Sequence, residues 1–409
     1  MQRVYSSISR SFVLSFPGTS LRRCGATAEH RQVLNYDIWY MIVTYLTLKD
    51  TRNLGMVCRE CRVATRPRLM SSVEPTDARK LLKMCRYFSD NVYCPATSLQ
   101  GLHLGRTGFE IEHFAAWRIS LRSHLKPSIP RALARLLSQA LNLRSLSLHR
   151  VEDLIKCNAR VGVALAALKH LDTLELFDIG PKTYEVSMRI ESRPTSFTLH
   201  YGIMGYVSSP EDLAQLMKIP LLERVRKLTL HEFKFGYVAM NADFPGIDSL
   251  HPWPAVEELQ LFNGYNLPFY QIFPNLRVLS LWGTGRLPHD SMSMIAWPPA
   301  VPLRLATMSP HNTSFFLGCL VRFLTLISLV TDSARDAAIR AIRGLSPIAL
   351  SLWCTNDECI DREFWRGIVS AADAPRARLR YLIVTLCIHP NKGLYWLVRA
   401  LTHSCQASV

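Results

Sequence analysis

A six-residue phrase, apolar-x-x-apolar-x-apolar, returns ten times along this chain and limits what it can fold into. It reads LQGLHL from residue 99, LRSLSL from 143, LDTLEL from 171, PTSFTL from 194 and VRKLTL from 225. It continues as VEELQL from 256, LRVLSL from 276, VRFLTL from 321, PIALSL from 347 and LRYLIV from 379. The alternation that closes each phrase is the period of a strand with one buried face. Successive starts lie 44, 28, 23, 31, 31, 20, 45, 26 and 32 residues apart, which leaves room for a helix between strands. Helical patterns occupy 130–141, 159–171, 210–222 and 333–345.

One strand with one helix cannot bury its apolar face alone, so neighbours must stack. Stacking through Leu146/Leu148, Leu174/Leu176, Leu228/Leu230, Leu259/Leu261 and Leu279/Leu281 is expected to make one continuous core in an α/β chain. The two longest intervals each have room for a degenerate repeat or an insertion. A β-sandwich or propeller is the competing architecture for short alternating strands, and the intervening helices argue against it.

Ahead of the repeats, residues 33–69 read as three short helices. Ile38, Ile42 and Leu46 recur at i, i+4 and i+8, with Val43 beside them, a stripe wider than a small bundle needs and therefore one that calls for a partner. Asp50 is the expected N-cap of a second helix over 51–56, a third opens at 57–59, and Pro67 is expected to end it. Residues 76–90 follow as a helix with Leu81, Leu82, Met84 and Phe88 near helical spacing and Thr76 as N-cap. The organisation expected is a disordered basic extension over 1–32, the three-helix module over 33–70, a helical connector over 71–95 and the repeats over 96–409.

The chain carries 48 Lys+Arg against 32 Asp+Glu, a net charge of +16, which fits nucleic acid, a membrane surface or an acidic partner. No Lys/Arg block is interleaved with aromatics, so nucleic acid is not expected as a partner. The longest apolar run, 315–330, is shorter than a bilayer span and contains Arg322, so no membrane partner is expected either. The 11 cysteines are scattered and read as reduced intracellular thiols. Cys58-x-x-Cys61 has no second pair at zinc-site spacing, and no metal is expected there. The first 28 residues are rich in Arg and Ser without an acid, a composition that fits a mitochondrial transit peptide, although Pro17-Gly18 would interrupt the helix such a peptide needs. Cytoplasm or nucleus is the location expected, with mitochondrial import the alternative.

The residue just after each phrase continues the row that faces away from the leucines. Read in order it is Gly105, His149, Phe177, His200, His231, Phe262, Trp282, Ile327, Trp353 and Thr385. His and aromatic residues hold seven of these ten places, in a chain of 409 residues with only 13 His, 17 Phe, 8 Trp and 14 Tyr. His149, Phe177, His200, His231, Phe262, Trp282 and Trp353 are accordingly the candidates for target binding, since aromatic side chains dominate interface energetics. The opposing reading is that they cover an edge of the core. Phe177 separates His149 from His200, so only His200 and His231 are direct neighbours, and two ligands do not make a zinc site. No nucleophile elbow, phosphate loop or activated Cys stands out, and neither catalysis nor a cofactor is expected.

The N-terminal module resembles the F-box. The residues that carry the likeness are Leu34, Asp37, Ile38, Ile42, Leu46, Thr47, Asp50, Leu54, Val57, Cys58 and Arg59, with Asn35 where the family usually has Pro. The repeats resemble leucine-rich-repeat proteins, but no Asn recurs three residues after the last Leu, so an irregular, bent solenoid of strand-helix units is expected. Together these features resemble fungal-type F-box proteins. The resemblance implies a non-catalytic substrate receptor whose F-box binds a Skp adaptor through Leu34, Asp37, Ile38, Ile42, Leu46, Leu54, Val57 and Cys58. Through Skp it would reach cullin and RING subunits, while the repeats hold an as yet unidentified target protein for ubiquitination. A scaffold that binds Skp without cullin is the alternative.

Overall fold

The protein was described from a computed structural model, which defines residues 36–75, 77–90, 96–104, 127–201, 218–231, 252–262, 272–282, 302–310, 313, 316, 319–327, 329, 331–354, 362–372 and 378–386. Twelve parallel strands form one sheet in chain order. They are β1 (Ser72–Val73), β2 (Gly101–His103), β3 (Ser145–Leu148), β4 (Thr173–Ile179), β5 (Ser196–Tyr201), β6 (Lys227–His231), β7 (Glu258–Phe262), β8 (Val278–Trp282), β9 (Leu303–Met308), β10 (Val321–Leu326), β11 (Ala349–Cys354) and β12 (Tyr381–Leu386). Parallel neighbours need crossover connections, and helices supply several of them. These are α4 (Ala78–Asp90) and α5 (Ser128–Gln139), then α6 (Val151–Cys157), α7 (Ala159–Ala166) and α8 (Pro181–Ser187), and finally α9 (Asp332–Leu345) and α10 (Arg362–Ala372). Three more, α1 (Tyr36–Tyr45), α2 (Leu48–Gly55) and α3 (Arg59–Leu69), precede the sheet.

Each phrase is a strand, and the pairing register aligns the phrases. Leu146 sits beside Leu174, Leu174 beside Phe197, Phe197 beside Leu228, Leu228 beside Leu259 and Leu259 beside Leu279. These side chains are all buried, in one apolar cluster with Leu81 of α4, Leu133 of α5, Val161 of α7 and Phe364 of α10. The leucine face of the sheet therefore packs on helices. Each such side chain contributes about 1.5 to 3 kcal/mol when fully buried, so the stack as a whole stabilises what no single unit can.

The interval of 45 residues after LRVLSL contains an additional repeat, β9. Its phrase is Leu303-x-x-Ala306-x-Met308, and Ala306 lies in register with Leu279 on one side and Leu324 on the other. The other long interval falls mostly on 105–126, outside the described residues. A second addition is β1, which pairs Ser72 with Gly101 ahead of the first phrase.

A backbone motif marks the start of most strands. One carbonyl accepts two consecutive N–H groups from the next unit: Arg144 O from Asp172 and Thr173, Asp172 O from Thr195 and Ser196, Thr195 O from Arg226 and Lys227, Arg226 O from Glu257 and Glu258. This satisfies backbone polar groups at the strand entry without a side chain. Asparagine takes part at two places just before a phrase, where Asn142 Nδ2 donates to Thr97 O at 2.9 Å and Asn275 Nδ2 donates to Pro254 O at 2.8 Å.

The first three helices have a small core of their own. Trp39 and Val43 of α1 and Cys61 and Ala64 of α3 are buried but stand outside the large cluster. Two local expectations are corrected. Asp50 does not cap α2: Thr47 does, its Oγ1 accepting from Asp50 N–H at 3.1 Å and donating to Asp50 Oδ2 at 2.7 Å, because a hydroxyl three residues earlier reaches the free N–H better. Pro67 does not end α3, which runs on to Leu69: the ring forgoes one N–H bond to the preceding turn, and the helix closes past it with Met70 N–H donating to Arg66 O at 2.9 Å. Gly55 brings α2 and α3 together, as a Cβ there would lie 2.7 Å from Thr65 Oγ1. Further on, α4 starts with Lys80 N–H donating to Asp77 Oδ1 at 2.8 Å, and Thr76 lies outside the described residues. The helix expected over 159–171 ends at Ala166, preceded by α6, whose entry is Arg150 in the left-handed region at φ 56. Most of 210–222 lies outside the described residues, with a 3-10 turn at Pro220–Arg224.

Candidate binding surfaces

Two surfaces stand out, one on the helices and one on the sheet. On α1 the stripe turned into the bundle is Trp39 and Val43, one turn apart. That choice leaves the neighbouring stripe outside: Ile38 is 40% exposed, Met41 54%, Ile42 39% and Tyr45 85%. These four follow i, i+3, i+4, i+7 and share one side of the helix. Leu48 of α2 and, just past its end, Met56 and Val57, the last at 69% exposure, extend the apolar surface. Leu46, Leu54 and Cys58 are half-buried. Cys58 is the N-cap of α3, its Sγ accepting from Cys61 N–H at 3.3 Å. Leu34 lies outside the described residues, and of Asp37 only the backbone, on α1, is described.

Among the expected contact residues, the structure thus places Ile38, Ile42 and Val57 on an open surface. Sequence reasoning missed Met41, Tyr45, Leu48 and Met56. The i, i+3, i+4, i+7 spacing of Ile38, Met41, Ile42 and Tyr45 was the signal available, obscured by the competing pair Trp39/Val43.

On the sheet, the expected row exists as a ladder of rings on the face opposite the leucines. Strand register puts Phe177 beside His200, His200 beside His231, His231 beside Phe262 and Phe262 beside Trp282. His149 stacks on Phe177 with centroids 3.9 Å apart and planes 6° from parallel. Phe177 to His200 is 5.5 Å, His200 to His231 5.3 Å, His231 to Phe262 4.1 Å and Phe262 to Trp282 5.8 Å. Trp282 then meets Trp353 edge-on at 6.3 Å, across β9 and β10, where Ser309 and Ile327 hold the ladder position. All seven ring residues form one continuous chain of contacts. Gly105 lies outside the described residues.

The ladder is neither core nor fully open. His149 is buried, Phe177 through Trp282 are half-buried, and Trp353 is 40% exposed. Burial, reinforced by the neighbouring His200, pushes the His231 pKa down to about 3, so that ring is neutral at physiological pH. A bulge between Phe177 and Ile179, with Asp178 at φ 54, ends the regular register of β4 and β5 beside the ladder.

Beside the ladder runs a second row: Ser147, Glu175, Thr198, Thr229, Gln260, Ser280, Thr307, Thr325 and Ser351, each two residues before the ladder position. Apart from Glu175 and Gln260 this row consists of small hydroxyl residues, and all of those but Thr198 are buried. Among the described residues no group of three or more His, Cys, Asp or Glu could hold a metal ion, and no described helix is long and apolar enough to cross a membrane. Neither a protein-family model nor a curated protein matches this chain.

Proposed function

We propose that this chain is a non-catalytic substrate receptor. Its three N-terminal helices act as an F-box that docks a Skp adaptor and, through it, cullin and RING subunits of a ubiquitin ligase. The repeats act as an irregular leucine-rich-repeat-like solenoid that holds a target protein on the ladder face, in the cytoplasm or nucleus. The contribution to ubiquitin transfer is proximity rather than bond chemistry.

The observation that carries the reading is the pair of stripes on α1. A helix whose own core is satisfied by Trp39 and Val43 while Ile38, Met41, Ile42 and Tyr45 stay in water has an apolar surface that exceeds its internal need. Such patches mark interaction sites. The order of apolar anchors from Leu34 to Arg59 agrees with the F-box pattern, and the ladder offers a separate surface that begins 90 residues further along the chain, at His149. Mixing the purified chain with a recombinant Skp adaptor and then with cullin and RING subunits tests the reading. Co-elution of all components from a sizing column is expected; elution with Skp but without cullin would transfer the protein to the scaffold class, and failure to bind Skp would reject both.

A further inference from the structure

The ladder face has a charge distribution at odds with that of the whole chain. The protein carries a net +16, yet the three rows of this face contain no Arg among the described residues: the ladder, the hydroxyl row, and an opening row two residues before the hydroxyls, which runs from Ser145 and Thr173 through Lys227 and Glu258 to Phe323 and Ala349. Lys227 and Glu258 of the opening row face each other at 3.8 Å and neutralise one another. Glu175 is left as a half-buried carboxylate that forms no ion pair with a described residue, flanked in register by Ser147 and Thr198 and followed on its own strand by Phe177. Locally the face is acidic at the β4 end and aromatic over β7–β11, where Phe262, Trp282 and Trp353 lie.

We infer that this face takes an extended peptide segment with one Lys or Arg over Glu175 and one large apolar or aromatic residue against Trp282, about six residues apart. The spacing follows from geometry: β4 and β8 are four strands apart, about 19 Å at about 4.8 Å per strand, and an extended chain advances about 3.4 Å per residue. The cation would sit over the carboxylate, where charge pairing and hydrogen bonding add. Single-stranded nucleic acid also stacks on ring ladders, but it requires basic side chains along the groove, and Lys227 is already paired with Glu258. This inference rests on the receptor reading above and specifies its target.

Panning a phage library of random dodecapeptides against the full chain tests it. Enriched sequences are expected to combine a basic residue with Trp, Phe or Leu about six positions away. A synthetic enriched peptide should bind the Glu175→Gln variant roughly tenfold more weakly than wild type, the cost of one charge-assisted contact. Its Lys→Gln or Arg→Gln counterpart should bind both proteins equally, the signature of a direct pair. Lack of enrichment, enrichment without a basic residue, a basic preference that survives Glu175→Gln, or tighter binding of a dT20 oligonucleotide than of any peptide would each overturn the inference. Skp binding is measured on the same preparations, so that failure here with Skp bound rejects the specificity alone, whereas loss of Skp binding by the wild type rejects the receptor reading.

Discussion

The imidazole of His231 lies flat on the ring of Phe262, centroids 4.1 Å apart and planes 4° from parallel, on adjacent strands that put the two residues opposite each other. A protonated ring in that place would lose water on both faces and stand beside His200. Burial and His200 together hold the His231 pKa at about 3, below the ordinary histidine value of 6.5. Because the folded pKa is the lower one, the unfolded chain binds the extra proton between these two values, and folding weakens as pH falls from about 6.5 towards 3. His231→Phe, which keeps a ring in the stack, should flatten part of the fall in melting temperature between pH 7 and pH 5. Thermal unfolding of both proteins at the two pH values checks this, and identical pH dependence would contradict it.

Trp353 is the ladder ring most open to solvent, 40% exposed. Trp353→Ala should therefore leave the melting temperature nearly unchanged while costing about 2 kcal/mol or more in target binding, the loss typical of an interface anchor. A buried Trp would instead cost about 3 to 5 kcal/mol in stability when truncated. Differential scanning calorimetry distinguishes the two, and a large drop in melting temperature would return Trp353 to the core.

Glu152 ties α6 to the start of α8: its carboxylate accepts from Thr183 N–H and Thr183 Oγ1, each at 3.0 Å, and from Lys182 N–H at 3.3 Å. Burial alone would raise its pKa, but these donors, with Lys156, outweigh it and hold the carboxyl below its usual value. Gly180 lets the carboxylate in, since a Cβ there would lie 2.6 Å from Glu152 Cδ. Gly180→Ala should cost about 1 to 3 kcal/mol, the range for overpacking. Urea unfolding measures it, and a variant as stable as wild type would show that Glu152 can relocate freely.

Much of the sheet was legible because a strand packed on helices must place an apolar side chain at every second position, and Leu228/Leu230 or Leu279/Leu281 state that directly. The repeat β9 was not, because Ala306 and Met308 fill the leucine sites with side chains that carry little strand signal; only the length of the interval hinted at it. The ladder was readable from register alone, as one position repeated from His149 to Trp353, but its half-burial was not, since exposure depends on what lies beside each ring. On α1 the sequence offered two adjacent apolar stripes, and nothing local decides that Trp39 and Val43 turn inward while Ile38 and Ile42 turn out. The carbonyls of Arg144 and Thr195 that each accept two N–H groups are backbone features, invisible in side-chain pattern.

The most direct test of the central claim is the affinity of the chain for a purified Skp adaptor after Ile42→Asp, read by isothermal titration calorimetry. Burying an aliphatic side chain is worth about 1.5 to 3 kcal/mol, and an unpaired carboxylate in its place adds a desolvation cost. Ile42 is 39% exposed on α1, outside the Trp39/Val43 core, so the variant should fold normally. Val163→Asp on α7, where Val163 is 68% exposed and far from the module in sequence, serves as the matched control. Loss of Skp binding by at least tenfold in Ile42→Asp, with Val163→Asp and both melting temperatures unchanged, is the result predicted; wild-type affinity in a folded Ile42→Asp protein would contradict the docking role of α1.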